Sequence, residues 1–211
     1  MKTIVGKCTW VVLAAVWIAA AAFYGSMPER MATHWNAGGV VNGYSSRAFG
    51  LLFLPVILLV IQGIFLLIPR IDPLKENIET FRNKYEGFVL VIALFLAYVF
   101  GMTVLWNMGF RFDMGRLLAP AIGGMMYGVG AMIKGIKRNW FVGIRTPWTM
   151  SSDEVWDRTH LLGSKLFKLS GLIALMGIVL PDHAIALIVM PILATTIVAV
   201  VYSYVLFRRK K

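Results

Sequence analysis

Three histidines are the side chains best suited to chemistry near neutral pH, and each lies in a different part of the chain. His34 stands in His34-Trp35-Asn36, His183 follows Asp182, and His160 lies close to Asp157, Ser151 and Ser152. His34, His183 and Asp182 have the donor types that bind a metal ion. Their spacing matches no ligand motif, and hydrogen-bonded interfacial histidines are the plainer alternative. His160 with Asp157, Ser151 and Ser152 supplies groups for proton transfer or nucleophilic attack. No nucleophile elbow, phosphate loop or metal spacing surrounds them. Neither an enzyme nor a cofactor is therefore expected. The lone Cys8 excludes an internal disulfide and any Cys-based zinc cluster.

The elements that position these residues follow from composition. Of 211 residues, 59% are hydrophobic and 15% are charged, against about 25% charged in an average soluble domain. A chain this size cannot hide so much apolar surface from water, and disorder needs low hydrophobicity. The expectation is an all-α integral membrane protein, a single polytopic domain over residues 1–211. Five charge-free runs are long enough to span a bilayer: Cys8–Pro28, Ala48–Pro69, Gly87–Phe110, Leu117–Ile133 and His183–Phe207. A sixth, Leu169–Pro181, reaches only about 20 Å unless it extends back through Leu161 with Lys165 and Lys168 snorkelling. Six transmembrane helices are thus predicted, at about 8–27, 49–68, 87–107, 116–134, 162–181 and 184–207. Lys2, Lys7 and the small residues Ala19–Ala22 resemble a signal peptide. The apolar run is longer than such a segment needs, so a retained helix is expected.

The net charge of +11 then becomes a topology signal. With six spans, seventeen of the 21 Lys and Arg residues fall on the side of both termini and four on the other. The positive-inside rule makes both termini cytoplasmic, residues 28–48 an extracytoplasmic loop and residues 135–161 a cytoplasmic loop. Direct nucleic-acid binding is not needed to explain the charge, since anionic lipid accounts for it. No Asp, Glu, Lys or Arg lies deep in a span, which argues against pumps and proton-coupled transporters. Gln62, Thr103, Thr195, Thr196 and Ser203 are read as helix-to-helix hydrogen-bonding groups. Gly124 and Gly128 form a small-xxx-small pattern that favours close helix approach.

The loops carry the rest of the signal. In the outer loop, Met31–Trp35 alternates like a short strand, and Asn36–Gly43 is rich in turn residues. On the inner side, Pro69 and Pro73 end the second span. Ile78, Phe81 and Tyr85 recur at helical spacing in an amphipathic segment, Glu76–Glu86. In the loop from Lys137 to His160, Ser151 and Glu154 read as a capping box, which starts a helix near Ser151. Val155, Trp156, Thr159, Leu162 and Leu166 would share one face of it. Thr146-Pro147-Trp148 is expected to be non-helical, and Trp140, Trp148 and Trp156 to anchor the inner interface. The loop reads either as an anchored structural element or as a partner-binding surface.

Three segments together resemble the SdpI family of bacterial membrane proteins, typified by immunity against the SDP toxin. Met27–Gly50, around His34-Trp35-Asn36 and Asn42-Gly43-Tyr44, resembles the family's outer loop (the DUF1648 module). Ile68–Lys75 resembles its second-span exit. Asn139–Phe167, with Gly143-Ile144-Arg145-Thr146-Pro147-Trp148-Thr149 and Val155-Trp156, resembles its signature. The resemblance implies a cell-membrane protein that protects against a secreted peptide toxin. It also implies signalling, by holding an ArsR-type repressor at the membrane. The toxin-facing residues would be His34, Trp35, Asn36, Gly43 and Tyr44, within Thr33–Arg47. The cytoplasmic signature would comprise Asn139, Gly143, Arg145, Thr146, Pro147, Trp148, Trp156 and His160, beside Arg70–Lys84. The alternative is a small membrane transporter or membrane enzyme with a polar cavity among its spans.

Overall fold

The computed structural model describes residues 2–36 and 38–209; Met1, Ala37, Lys210 and Lys211 (the last two counted in the basic C-terminal cluster) lie outside the described residues. In chain order the elements are α1 (Ile4–Phe23), β1 (Arg30–Trp35), β2 (Val41–Ser46), α2 (Arg47–Ile71), α3 (Lys75–Thr80), α4 (Arg82–Asn107), α5 (Met114–Ile133), α6 (Pro147–Ser151), α7 (Asp153–Leu175) and α8 (Ala184–Arg208). Among the described residues, six helices are long and apolar enough to cross a membrane: α1, α2, α4, α5, α7 and α8. The predicted weak fifth span is one continuous helix, α7, prolonged by a 3-10 turn at Met176–Ile178.

Side-chain oxygens set several helix starts. Thr3, Ser46, Asp113 and Ser152 each accept a backbone N–H from the first turn of α1, α2, α5 and α7, replacing bonds that the helix cannot supply. The start of α7 corrects the expected capping box. Ser152, not Ser151, is the cap, and the Ser151 hydroxyl donates to the Pro147 carbonyl at 2.6 Å. The capping box lies one short helix earlier, where Thr146 and Thr149 bond each other reciprocally. Pro147 at the first helical position already has helical φ. That is why Pro147–Ser151 forms α6 where the sequence suggested a non-helical stretch.

The helices form two groups. An apolar cluster of Leu13, Val16, Leu51, Leu58, Ala93 and Phe100 joins α1, α2 and α4. Ala119, Ala174 and Ile188 join α5, α7 and α8. The closest crossing is between α5 and α7. A Cβ on Gly123 would lie 2.8 Å from the Gly171 carbonyl oxygen, and one on Gly171 2.5 Å from that of Gly123. Gly130 meets the α7 backbone in the same way, at Ser164 and Lys168. Gly123 and Gly130 are two turns apart and share a face. The expected pair, Gly124 and Gly128, lies on other faces. Gly124 has nothing within 4 Å, and Gly128 meets only the Val91 side chain of α4.

The polar residues within spans divide. Ser170 and Thr195 bond across α7 and α8 at 2.9 Å, and Ser203 reaches Thr146 at 3.1 Å. Thr103 and Thr196 bond carbonyls of their own helices. Gln62 departs from expectation: it is fully buried, and its amide has no hydrogen-bond partner among the described residues. Proline creates a further need in α2. Pro69 cannot donate to the carbonyl of Phe65, and the Tyr85 hydroxyl does so instead at 2.6 Å.

Candidate functional site

The bundle has two structured ends. At one end β1 and β2 form an antiparallel hairpin between α1 and α2. Its register runs Arg30–Ser46, Met31–Ser45 and Ala32–Tyr44, then shifts so that His34 faces Gly43 and Trp35 faces Val41. β2 begins inside the stretch read as a turn. Asn36 makes that turn, its side-chain oxygen accepting from the N–H groups of Gly38 and Val40, each at 3.0 Å.

The hairpin is fastened to α4 by one side chain. Asn107 Oδ1 accepts from the Ala32 N–H at 2.8 Å, and its Nδ2 donates to the Ala32 carbonyl at 3.0 Å. Asn107 thus pairs with the strand as a neighbouring strand would. Met27 and Met31 complete the attachment by entering the α1–α2–α4 core.

Beneath the hairpin lies a cavity of about 270 Å³, walled by Thr33, His34 and Trp35 of β1 and by Phe53, Leu54 and Thr103 of α2 and α4. Met114 and Leu118 of α5 close it. The walls are mainly apolar, and the polar groups come chiefly from β1. The Trp35 ring is held edge-to-face on Trp106, centroids 5.7 Å apart, and Trp106 packs likewise on Phe112. The Trp35 indole N–H is buried and has no acceptor among the described residues. His34 donates from Nδ1 to the Asn42 side-chain oxygen across the hairpin. Tyr44 is exposed, with the Arg30 guanidinium over its ring.

The other end holds the segment between α5 and α7, with α3 and the start of α4. Ile78, Phe81, Tyr85, Ile136, Val142 and Trp156 form its apolar centre. The expected amphipathic segment therefore buries its apolar face within the protein. It also breaks at Phe81 into α3 and α4. Around this centre the hydrogen bonds close. Asn139 is fully buried, its oxygen accepting from the Phe141 and Val142 N–H groups, its nitrogen donating to the Lys137 and Val142 carbonyls. The His160 Nε2 accepts the Ile144 N–H at 2.9 Å, so its Nδ1 is the protonated nitrogen and donates to the Trp156 carbonyl at 2.8 Å. Trp156 stacks on His160 at 4.0 Å and donates its indole N–H to the Ile136 carbonyl at 2.8 Å. Gly143 has φ +121°, and a Cβ there would overlap His160. Only glycine suits that position.

The surrounding residues tie this knot to the bundle. Arg145 donates to the Trp140 carbonyl. Thr146 reaches Ser203 of α8, and Trp148 packs against Tyr204. Arg138 pairs with Asp153 at 2.9 Å. Of the three tryptophans expected at the inner interface, Trp156 is instead fully buried, while Trp140 is exposed. His160 is fully buried too; its Nε2 holds the loop at Ile144 and its Nδ1 bonds the Trp156 carbonyl of its own helix.

Sequence reasoning missed three residues here. Buried Asp72 accepts from the Leu74 and Trp140 N–H groups and joins the α2 exit to the loop. Buried Glu86 accepts from the N–H groups of Lys2 and Thr3 and from the Thr3 hydroxyl, which anchors the start of α1. Asn107 is the third. Glu86 and Asn107 each sit at the edge of a charge-free run, where a polar residue resembles any span boundary. As for a metal, no three His, Cys, Asp or Glu side chains come together among the described residues, so His34, Asp182 and His183 do not assemble a site there.

These features define a multi-pass cell-membrane protein with a small cavity under a hairpin at one end and a closed polar knot at the other. The comparisons return the family suggested by the sequence. The SdpI/YfhL protein family matches residues 135–203, which cover the knot, α7 and most of α8, and DUF1648 matches residues 11–59, which cover the hairpin. The chain is 20% identical over 187 residues to Immunity protein SdpI of Bacillus subtilis (strain 168), covering 88% of this chain and 87% of that protein. No solved structure matches it.

Proposed function

We propose that this chain is a membrane immunity protein that binds a secreted, membrane-active peptide toxin at the hairpin end and signals from the knot end. Both termini are cytoplasmic in this reading, so the hairpin faces outward. The observation that carries it is the cavity beneath Thr33, His34 and Trp35. A cavity of that size accepts one large apolar side chain, with Thr33 and His34 of β1 on its polar side. The similarity to an immunity protein supports the same reading.

The knot end would hold an ArsR-type repressor, through exposed groups such as Trp140, Phe141 and Arg145. The role is binding, not catalysis. His160, Ser151 and Ser152, the side chains best suited to acid–base or nucleophilic work, already hold the loop or cap a helix.

The test is a toxin challenge. A sensitive cell expressing the chain should survive, and Trp35→Ala should lower survival with membrane protein level unchanged. Equal killing with and without the chain would refute the immunity reading. For signalling, a co-expressed ArsR-type repressor should sediment with membranes after toxin exposure, and Arg145→Ala should release it. A repressor that stays soluble would remove that part.

A further inference from the structure

A second cavity, of about 290 Å³, opens at the knot end between the amino-terminal segment, the α2 exit and α3–α4. Lys2, Arg70 and Arg82 supply three cations to it against the single carboxylate of Glu79, and Phe65 and Pro69 form an apolar wall. Glu79 pairs with Arg82 and lies 3.2 Å from the Lys2 ammonium. The Arg82 guanidinium holds the Glu79 carboxyl below the usual carboxylate range, so it is charged at neutral pH. One carboxylate cannot neutralise three cations, and Arg70 has no ion-pair partner among the described residues. Arg82 is held in place, its side chain only 15% exposed, with its guanidinium against Tyr85.

The position narrows the ligand. The cleft lies where α1 and α4 begin and α2 ends, which is the level of lipid headgroups for spanning helices. Basic pockets at such depths bind phosphate headgroups. The apolar wall beside the charges suits the start of an acyl chain. We infer that this cleft binds the phosphate of an anionic phospholipid, with Arg70 and Arg82 on the phosphate and Phe65 beside the chain. Glu79 occupies the cations when no lipid is bound. The inference does not depend on toxin binding at the other end.

Native mass spectrometry of the detergent-solubilised full chain tests it, with phosphatidylglycerol, phosphatidylcholine and inorganic phosphate as probes. Phosphatidylglycerol should bind in preference to phosphatidylcholine, and Arg70→Gln should weaken it about fivefold, the effect of one lost surface cation. Glu79→Gln should tighten it by a similar factor, because it removes the competing carboxylate. Lys137→Gln, a cation lost outside the cleft at the same end, should change nothing. Equal binding of both lipids, an unchanged Arg70→Gln, a weaker Glu79→Gln or an equal loss in Lys137→Gln would each overturn the site. Displacement of phosphatidylglycerol by inorganic phosphate at equal concentration would overturn the lipid assignment and leave a free-phosphate site.

Discussion

Trp35 and Trp156 mark the difference between the two ends of the molecule. Trp156 is fully buried, stacked on His160, and its indole N–H meets the Ile136 carbonyl. Trp35 is also ring-packed, on Trp106, but its buried N–H has no acceptor among the described residues and its side chain borders a cavity. A buried donor without an acceptor costs about 1–3 kcal/mol, and a cavity costs further dispersion energy. At the knot end the Trp156 indole N–H itself is paired, although the buried Thr159 hydroxyl one turn further along α7 has no partner among the described residues. Trp156 is held by a hydrogen bond within the fold, whereas Trp35 lines a cavity with its indole N–H unpaired among the described residues.

The sharpest way to break the comparison is at Gly143. Gly143→Ala places a side chain at φ +121° and against His160. It should destabilise the protein by about 2–4 kcal/mol, seen as a lower unfolding midpoint in detergent. If the midpoint is unchanged, the knot is looser than its bonding implies. Next comes Trp156→Phe. It keeps the aromatic ring but orphans the Ile136 carbonyl, so a loss of about 1–3 kcal/mol is expected by denaturant titration. A neutral result would mean that water reaches that carbonyl.

The six-helix architecture was legible because spanning a bilayer imposes one crude requirement, a long apolar run, and the six helices meet it. Residues that act through distant partners were not legible. Asp72 bonds Trp140, and Glu86 bonds Lys2 and Thr3. Neither pairing leaves a local pattern. The i, i+4 pair Gly124 and Gly128 is the pattern the sequence offers, whereas the glycines that meet α7 are Gly123 and Gly130, seven residues apart. All four lie in one glycine-rich helix, and only the neighbour's position selects a face. His160 illustrates the limit for the site. Its type suggested chemistry, but its burial and two backbone bonds, to Ile144 and Trp156, give it a structural task. At the hairpin, the residue types marked a folded loop, but the cavity exists only because α2, α4 and α5 meet beneath it.

Smaller effects sharpen the hairpin end. Asn107→Ala removes both bonds to Ala32. The hairpin has its own strand pairing, and its methionines stay in the core, so the loss should be local, about 1 kcal/mol. Hydrogen exchange should speed up at the Ala32 amide, with the global unfolding midpoint barely moved. A large global shift would mean that the hairpin is part of the bundle's cooperative unit.

Trp35→Phe is the matched partner of Trp156→Phe and should have the smallest effect on stability. It deletes an indole N–H that has no acceptor among the described residues, which relieves a desolvation cost. It also shrinks the ring that packs on Trp106, which costs some contact. The two changes oppose each other, so the midpoint should stay within about 0.5 kcal/mol of the parent protein. Ligand binding at the cavity should nevertheless weaken, because the smaller ring reshapes the wall that Trp35 forms. The same substitution then gives opposite outcomes at the two ends: stability lost at Trp156, binding lost at Trp35. If Trp35→Phe destabilises as much as Trp156→Phe, the Trp35 N–H has a partner within the fold, and the contrast between the two tryptophans fails.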